Sequence, residues 1–527
     1  MTEFCHKESI HRILLQPVKL FGKTKARDKI AALSSLKSYA DLSDIKYVFP
    51  LVADKNAELA YEAAQVVSEI IRRVQGKCWN KVYDEVKYTR IEFEAMECLL
   101  NFNEEISVHL LGVASLNSSG YIREKALRIL SGVRSSDSVP YVLLRLNDWV
   151  LPVRNLAGNI LNNMLTKDNI EAFIENSYLV DKLQYVLRAD LLNERQTIVD
   201  FLKDDSVKDK IKKRLGHPQI KTRLFCYRLL IDRISYDEDV IYSALKDKSF
   251  EIRIWLVDAI KSIDYVKKLP VIAKLLNDKS AKVVTSVLRN FEDIVCIELM
   301  EELKKLMVSE YASVRDEARF IARKHLFVED FAAYYRKQLC DNPTFGALMG
   351  LGETGMKSDF ELVKSFYTFG NGKIRLAAMT AMWYLSRDEA ISYVLKELDS
   401  VIPKIKKTAR KITLSSKMPV VLYEMKNILK SNNTDNKLFA LETICRYGGW
   451  QALEEILFAV ANWQSPDIER ARILLDRWIN SSVNLYTRPE SNAFSNIAGF
   501  FQLAKSKNLI SSKAISELNF LFETREI

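Results

Sequence analysis

The sequence predicts an all-α fold: a right-handed α-solenoid of about 13–14 stacked helical-hairpin repeats, an armadillo-type superhelix closed by helical caps. Three observations predict it. Chain breakers are scarce, with 16 Gly and 11 Pro in 527 residues, where average usage of about 7% and 5% would give more than twice as many. A short pattern recurs about every 31 residues along almost the whole chain, and such self-similarity marks a repeat array. Each recurrence also opens a stretch whose apolar residues share one helical face.

The pattern is a helix end, a short polar loop, a β-branched anchor, often an Arg next, and a small residue four positions after the anchor. It is visible in LNSSGYIREKALRIL (116–130), LNDWVLPVRNLAGNIL (146–161), LKDKSFEIRIWLVDAI (245–260), LNDKSAKVVTSVLRNF (276–291) and VSEYASVRDEARFIA (308–322). The anchors Ile122, Val153, Ile220, Ile252, Val283, Val314, Ile374, Ile405 and Ile468 are separated by 31, 67, 32, 31, 31, 60, 31 and 63 residues. The long steps are close to twice the unit. Phe345 and Asn436 are weaker anchors in the gaps, and Leu59 and Ile91 continue the phase upstream. Within one unit, Ile122, Ala126, Ile129 and Leu130 fall at i, i+4, i+7 and i+8, as do Val153, Ala157, Ile160 and Leu161. A first apolar helix precedes each loop, as in VPYVLLRL (139–146) and LPVIAKLL (269–276). A single hairpin cannot bury both its apolar faces, so stacking on its neighbours completes the core.

With its loop acids Asp148, Asp247 and Asp278, its basic residues after the anchor, Arg123, Arg154, Arg253, Arg315 and Arg375, and its small residues Ala126, Ala157, Ala318, Ala378 and Ala409, the pattern resembles the HEAT repeat of bacterial HEAT-like proteins. The resemblance covers roughly residues 43–482 and implies that the second helix of each pair lines a concave surface.

Residues 1–42 read as an N-terminal helical cap, with KARDKIAALSSLKSYA its clearest helix, and 483–527 as a C-terminal cap with helices near 491–505 and 511–524. NLYTRPE (484–490) separates the solenoid from that cap. The solenoid itself, 43–482, has two irregular stretches. Residues 167–215 hold short helical segments without a clean anchor. Residues 329–356 contain FGALMGLGETG, whose glycines lack the spacing and the Lys-Ser/Thr of a phosphate loop and read as a tight turn between helices.

Lys and Arg number 78 against 68 Asp and Glu, a net charge of +10. This excess permits an acidic partner without requiring one. Seven cysteines with no CxxC argue against a disulfide framework and for a reducing compartment. No signal peptide and no run long enough to span a membrane is evident, so the expected location is cytoplasmic.

Catalytic signatures are missing: no GxSxG, HExxH or Walker A occurs. None of the five histidines is followed by Glu. The His-Glu pairs that hold two irons in the HEAT-like deoxyhypusine hydroxylases are therefore absent. Cys5, His6 and His11 match no zinc spacing. HEAT-like DNA glycosylases place an Asp and aromatic residues on a basic face; Asp148-Trp149 is the adjacent Asp-Trp pair here, and its simpler reading is a Trp packed in an inter-helix loop. No enzyme activity, cofactor or metal is expected.

What remains is surface. The basic positions Arg123, Arg154, Lys221, Arg253, Arg315, Arg375 and Lys406 recur once per repeat. In a stack they form a ladder, either a ribbon for phosphates or an acidic peptide, or a structural row paired with loop acids. Lys404, Lys406, Lys407, Arg410 and Lys411 cluster on one second helix, and residues 203–223 form another basic segment. Trp255 and Trp383 fall on apolar faces of second helices, and Trp450 on a helix start that is partly exposed. The function expected from these readings is a non-enzymatic scaffold or adaptor for an unidentified protein partner. The alternative is a nucleic-acid-binding protein contacting phosphates through the ladder, with a glycosylase-like activity as a branch.

Overall fold

The computed structural model describes residues 2–16, 26–74, 79–186, 188–231, 237–325, 328–430, 434–481 and 487–524; among them there is no strand, only helices joined by short loops. The side chains of Cys5 and His6, residue Cys78 and the segment 484–486 lie outside the described residues. The chain forms two compact units, Met1–Leu275 and Leu276–Ile527. Each is a stack of helical hairpins, and the chain is a HEAT-like α-solenoid. No described helix is long and apolar enough to cross a membrane.

In the first unit, the helix Ala26–Leu36 packs on Ala57–Val74, which packs on Glu104–Ala114. Leu59, Ala63, Val66, Val67 and Ile70 are at most 1% exposed, which is the i, i+4, i+7, i+8, i+11 face the sequence marks. The start of that helix is set by two side chains: Asp54 accepts from the Asn56 amide at 2.8 Å, and Asn56 from the Leu59 amide at 3.0 Å. Downstream, Gly120–Leu130 packs both on its hairpin partner Glu104–Ala114 and on Leu151–Met164, the second helix of the next hairpin. Ala126 and Ala157 are fully buried where these helices approach. The irregular stretch resolves into short pieces, including Ile170–Glu175, Ser177–Lys182, Leu192–Leu202 and Lys208–Lys213.

The second unit repeats this scheme more regularly. Gly372–Leu385, Pro403–Ser415, Thr434–Cys445 and Asp467–Ser481 form a row in which each helix packs on the next, and Asp467–Ser481 packs on the terminal helix Ser512–Thr524. Ala378, Ile405, Ala409 and Ala440 have no exposure. The first helix of the last hairpin, Gly449–Asn462, packs on Ser491–Ser506. It is entered through Gly448 and Gly449 at φ 72° and 64°, the left-handed region that a side chain disfavours. Hydrogen bonds hold the final helices on: Trp450 Nε1 donates to the Thr487 carbonyl at 2.7 Å and Arg472 Nε to the Leu509 carbonyl at 2.7 Å.

Several sequence expectations need correction. Gly346, Gly350 and Gly352 are inside the helix Phe345–Thr354, not in a turn. They are small because neighbours press on them: a Cβ at Gly346 would lie 1.8 Å from the Val308 carbonyl oxygen, at Gly350 2.3 Å from the Tyr335 ring, and at Gly352 2.7 Å from Ala381 Cα. The anchor Ile91 opens no α-helix, because Glu94–Leu100 is a 3-10 helix. Trp450 is 6% exposed rather than a surface residue, whereas Trp149 is 66% exposed rather than packed.

Candidate functional site: internal arginines and an open basic groove

The fourth residue of most second helices is an arginine, and in five of them it makes the same contact. The guanidinium reaches back to the carbonyl six residues earlier, just beyond the end of the first helix. Arg123 donates to the Asn117 carbonyl at 3.0 Å, Arg154 to Asp148 at 3.1 Å, Arg223 to His217 at 2.7 Å, Arg253 to Asp247 at 2.6 Å and Arg315 to Ser309 at 2.7 Å. Carbonyls past a helix C-terminus lack intrahelical donors and carry the negative end of the dipole, so a cation there satisfies both needs.

The same guanidiniums then bond a carboxylate of the following hairpin. Arg123 grips Asp148 with Nε at 2.9 Å and Nη2 at 2.8 Å, and Arg223 grips Asp247 at 2.8 and 2.9 Å. Arg315 pairs with Glu353 and Arg375 with Glu397. The loop acids also fix their own turns: Asp148 accepts from the Val150 amide at 2.9 Å, Asp247 from Ser249 at 2.7 Å and Asp278 from Ser280 at 2.7 Å. Arg123, Arg223 and Arg315 thus each join the end of one helix, the turn that follows and the next hairpin.

Arg123, Arg253 and Arg315 are 1%, 4% and 1% exposed. They are interior residues with internal partners and offer no surface to a macromolecule, which corrects the expectation for those rungs. Arg154 and Arg375 are half-buried; Arg154 bonds backbone carbonyls and Arg375 the Glu397 carboxylate. Lys221 is exposed on the second residue of its helix, and the ladder position belongs to Arg223. The anchor of that repeat is Thr222, with Cys226 the small residue four later; both are buried. Thr222 is β-branched and followed by an Arg, so the signal was present two residues from Ile220. The helix Phe345–Thr354 shows the same two-residue offset from its anchor.

The two basic clusters differ. In 203–223 part of the charge is answered by acids from outside the segment. Lys208 and Lys212 both pair with Asp237, at 3.1 and 2.8 Å, and Arg214 pairs with Glu171 and Glu175. These lysine hydrogen bonds hold the Asp237 carboxyl down at about 2. In 404–411 the charge of three lysines is open. Lys404, Lys407 and Lys411 are exposed and, among the described residues, their side chains have no hydrogen-bond or ion-pair partner. Lys406 is half-buried, and Arg410 donates to Asn436 at 2.9 Å and lies over the Phe439 ring.

Lys406, Lys407, Arg410, Lys411, Leu414 and Arg446 border a hollow of about 660 Å³. It meets a second hollow of about 520 Å³ at Leu414 and Arg446, with Glu442, Arg470 and Arg477 among its walls. Three consecutive second helices therefore border one groove carrying seven cations and one acid, a balance of +6. That acid, Glu442, already pairs with Arg470 at 2.6 Å. Arg446 and Arg477 are exposed and unpaired among the described residues.

His11 bonds Asp44 through Nε2 at 2.8 Å and stacks on Tyr47. Glu292, Asp293 and His325 bring three ligand-type atoms within 4.8 Å of one another, and Lys324 already pairs with Glu292. Among the described residues, no paired acid and base faces a cavity in a way that assigns a reaction.

No family model matches the chain, and no curated protein matches it. Among solved structures it is similar to an engineered protein, at 14% identity over 85% of this chain and 98% of that one, with a TM-score of 0.23. It is also similar to the karyopherin Kap121p bound to the extreme C-terminus of the protein phosphatase Cdc14p, at 12% identity over 98% of this chain and 75% of that one, with a TM-score of 0.31. For Kap95p in a structure with RanGDP, identity is 12%, coverage 98% and 66%, and TM-score 0.30. No activity or partner carries over at these values.

Proposed function

We propose that this protein is a non-catalytic binding scaffold that receives an extended acidic segment of a protein partner along the groove of Pro403–Ser415, Thr434–Cys445 and Asp467–Ser481. One observation carries the reading: among the described residues, four cations of this groove, Lys407, Lys411, Arg446 and Arg477, are exposed with no partner, whereas the ladder arginines and Lys208, Lys212 and Arg214 are answered internally. An unanswered row of cations is most stable with an anion alongside, and the potential it creates steers acidic partners to it. A peptide suits the groove better than bases do. Its one lining Trp, Trp478, is 6% exposed and its Nε1 donates to the Gly449 carbonyl at 2.9 Å, so no aromatic platform is offered for stacking. A cytoplasmic location belongs to the same reading; the described cysteines, Cys98, Cys226, Cys296, Cys340 and Cys445, are all free thiols.

The test is a titration of fluorescein-labelled poly-glutamate, with duplex and single-stranded DNA as competitors. Peptide binding that is lost in Lys407→Gln/Lys411→Gln/Arg446→Gln/Arg477→Gln supports the proposal. DNA binding that is tighter than peptide binding and depends on the same four residues would replace it with the nucleic-acid reading.

A further inference from the structure

The first unit holds a cavity of about 370 Å³ bordered by Trp79, Tyr83, Leu144, Arg145, Asn147, Trp149 and Arg188, among others. Its size is within the range of small-molecule sites, roughly 300–1,000 Å³. We propose that this cavity binds a small oxyanion carried on a flat, apolar body, the class represented by aryl phosphates and aryl carboxylates.

The argument starts from charge. Arg123 and Arg145 are both buried, and both depend on Asp148, which is 3% exposed. Arg145 Nη1 meets Asp148 Oδ2 at 2.8 Å, the same oxygen that receives Arg123 Nε at 2.9 Å. The other oxygen takes Arg123 Nη2 and the Val150 amide. Asp148 is thus saturated by four donors. Two buried cations share one anion, and the surplus positive charge falls on Arg145. A buried charge without its own counter-ion is costly, and an anion brought to it recovers that cost. Burial first, and then the charge of Arg123, push the Arg145 guanidinium below its usual range, against the pull of Asp148.

The donors point the same way. Arg145 Nε and Trp79 Nε1 are buried N–H groups without a hydrogen-bond acceptor, and Trp79 is 2% exposed. Buried donors of this kind are normally satisfied. Both residues border the cavity, as does the exposed guanidinium of Arg188. The one other acid on the rim, Asp84, is paired with Lys87 at 2.9 Å. An oxyanion accepts from several N–H groups at once, which a neutral ligand does less well.

The body of the ligand is read from the walls. Tyr83 lies under Arg145, 5.5 Å from ring to guanidinium, and the exposed Trp149 ring lies 5.7 Å from Arg123. Two aromatic rings, with Leu144 beside them, suit a planar apolar group behind the anion.

The experiment is calorimetric titration of the full chain with phenyl phosphate and, separately, benzoate, which distinguishes a phosphate from a carboxylate. The expected result is saturable one-to-one binding of at least one probe. It should weaken by about tenfold or more in Arg188→Gln and in Tyr83→Ala, vanish in Arg145→Gln, and persist in the quadruple groove variant of the second unit. If Arg145→Gln fails to fold, the two other cavity variants decide. No saturable binding of either probe up to about 10 mM, or binding unchanged by both Arg188→Gln and Tyr83→Ala, overturns the proposal.

Discussion

Asp148→Ala tests the ladder at its most connected rung. The wild-type carboxylate accepts four hydrogen bonds, three from the buried guanidiniums of Arg123 and Arg145 and one from the Val150 amide. Alanine leaves both cations buried and unpaired. Removing one partner of a buried ion pair costs about 3–5 kcal/mol, and loss of the turn hydrogen bond adds about 1 kcal/mol. The expected loss is therefore about 4–6 kcal/mol, a large share of any domain's stability. Asp247→Ala removes one buried pairing instead of two together with the turn hydrogen bond from Ser249, so a loss near the low end, about 4 kcal/mol, is expected. Arg154→Ala removes bonds to two carbonyls from a half-buried side chain, so about 1 kcal/mol is expected. Stacked repeats open locally, so the appropriate readout is hydrogen exchange with peptide resolution over 104–164 rather than one global midpoint. The apolar variant Arg123→Met/Arg145→Met/Asp148→Leu should recover most of the loss, because it removes the buried charges together. An Asp148→Ala loss below about 1 kcal/mol, or equal losses at Asp148 and Arg154, would refute the account of the rungs as inter-hairpin ties.

Three further outcomes are expected. Gly346→Ala should destabilise the second unit severely in urea denaturation, since its Cβ meets a backbone carbonyl that cannot move aside, while Gly158→Ala, in open space on the helix Leu151–Met164, should stabilise the first unit by up to about 1 kcal/mol. His109 is buried against Ser68 Oγ at 2.8 Å, and burial holds its pKa below the usual value; its contribution is full above about pH 6.5 and is lost as pH falls below that value, so the stability profile of His109→Gln should be flatter over that range. Burial pushes the Cys226 thiol up to about 12, whereas Cys340 is exposed; mass mapping after brief alkylation of the native protein should find Cys340 modified and Cys226 protected.

The fold was legible because its physics repeats. Each helix pair must bury the same face, so Val153, Ala157 and Ile405, Ala409 show at equal spacing what any one repeat would leave ambiguous. The purpose of the repeated arginine was harder to read. Its carboxylate partner is about 25 residues away, at Asp148 for Arg123, so spacing within a loop suggests Arg154 instead. The difference between the two basic clusters was also hidden. Asp237 and Glu171, which pair with Lys208, Lys212 and Arg214, lie outside that segment, and only packing brings them to it. The groove draws on Arg446 and Arg477 from two later helices, and the cavity draws on Trp79 and Arg188, more than 100 residues apart. Charge runs along a chain report composition; whether a charge is available is settled by the neighbours folding supplies.

The central claim is that availability, not the number of basic residues, decides where this protein binds. It is tested most directly by the salt dependence of poly-glutamate binding in two variants matched in charge removed. One neutralises Lys407 and Lys411, which have no partner among the described residues; the other neutralises Lys208 and Lys212, which share Asp237. The account predicts that the first variant binds about tenfold or more weakly, with a flatter dependence on salt, while the second matches wild type. Equal weakening in both would contradict it, since net charge alone would then explain the binding.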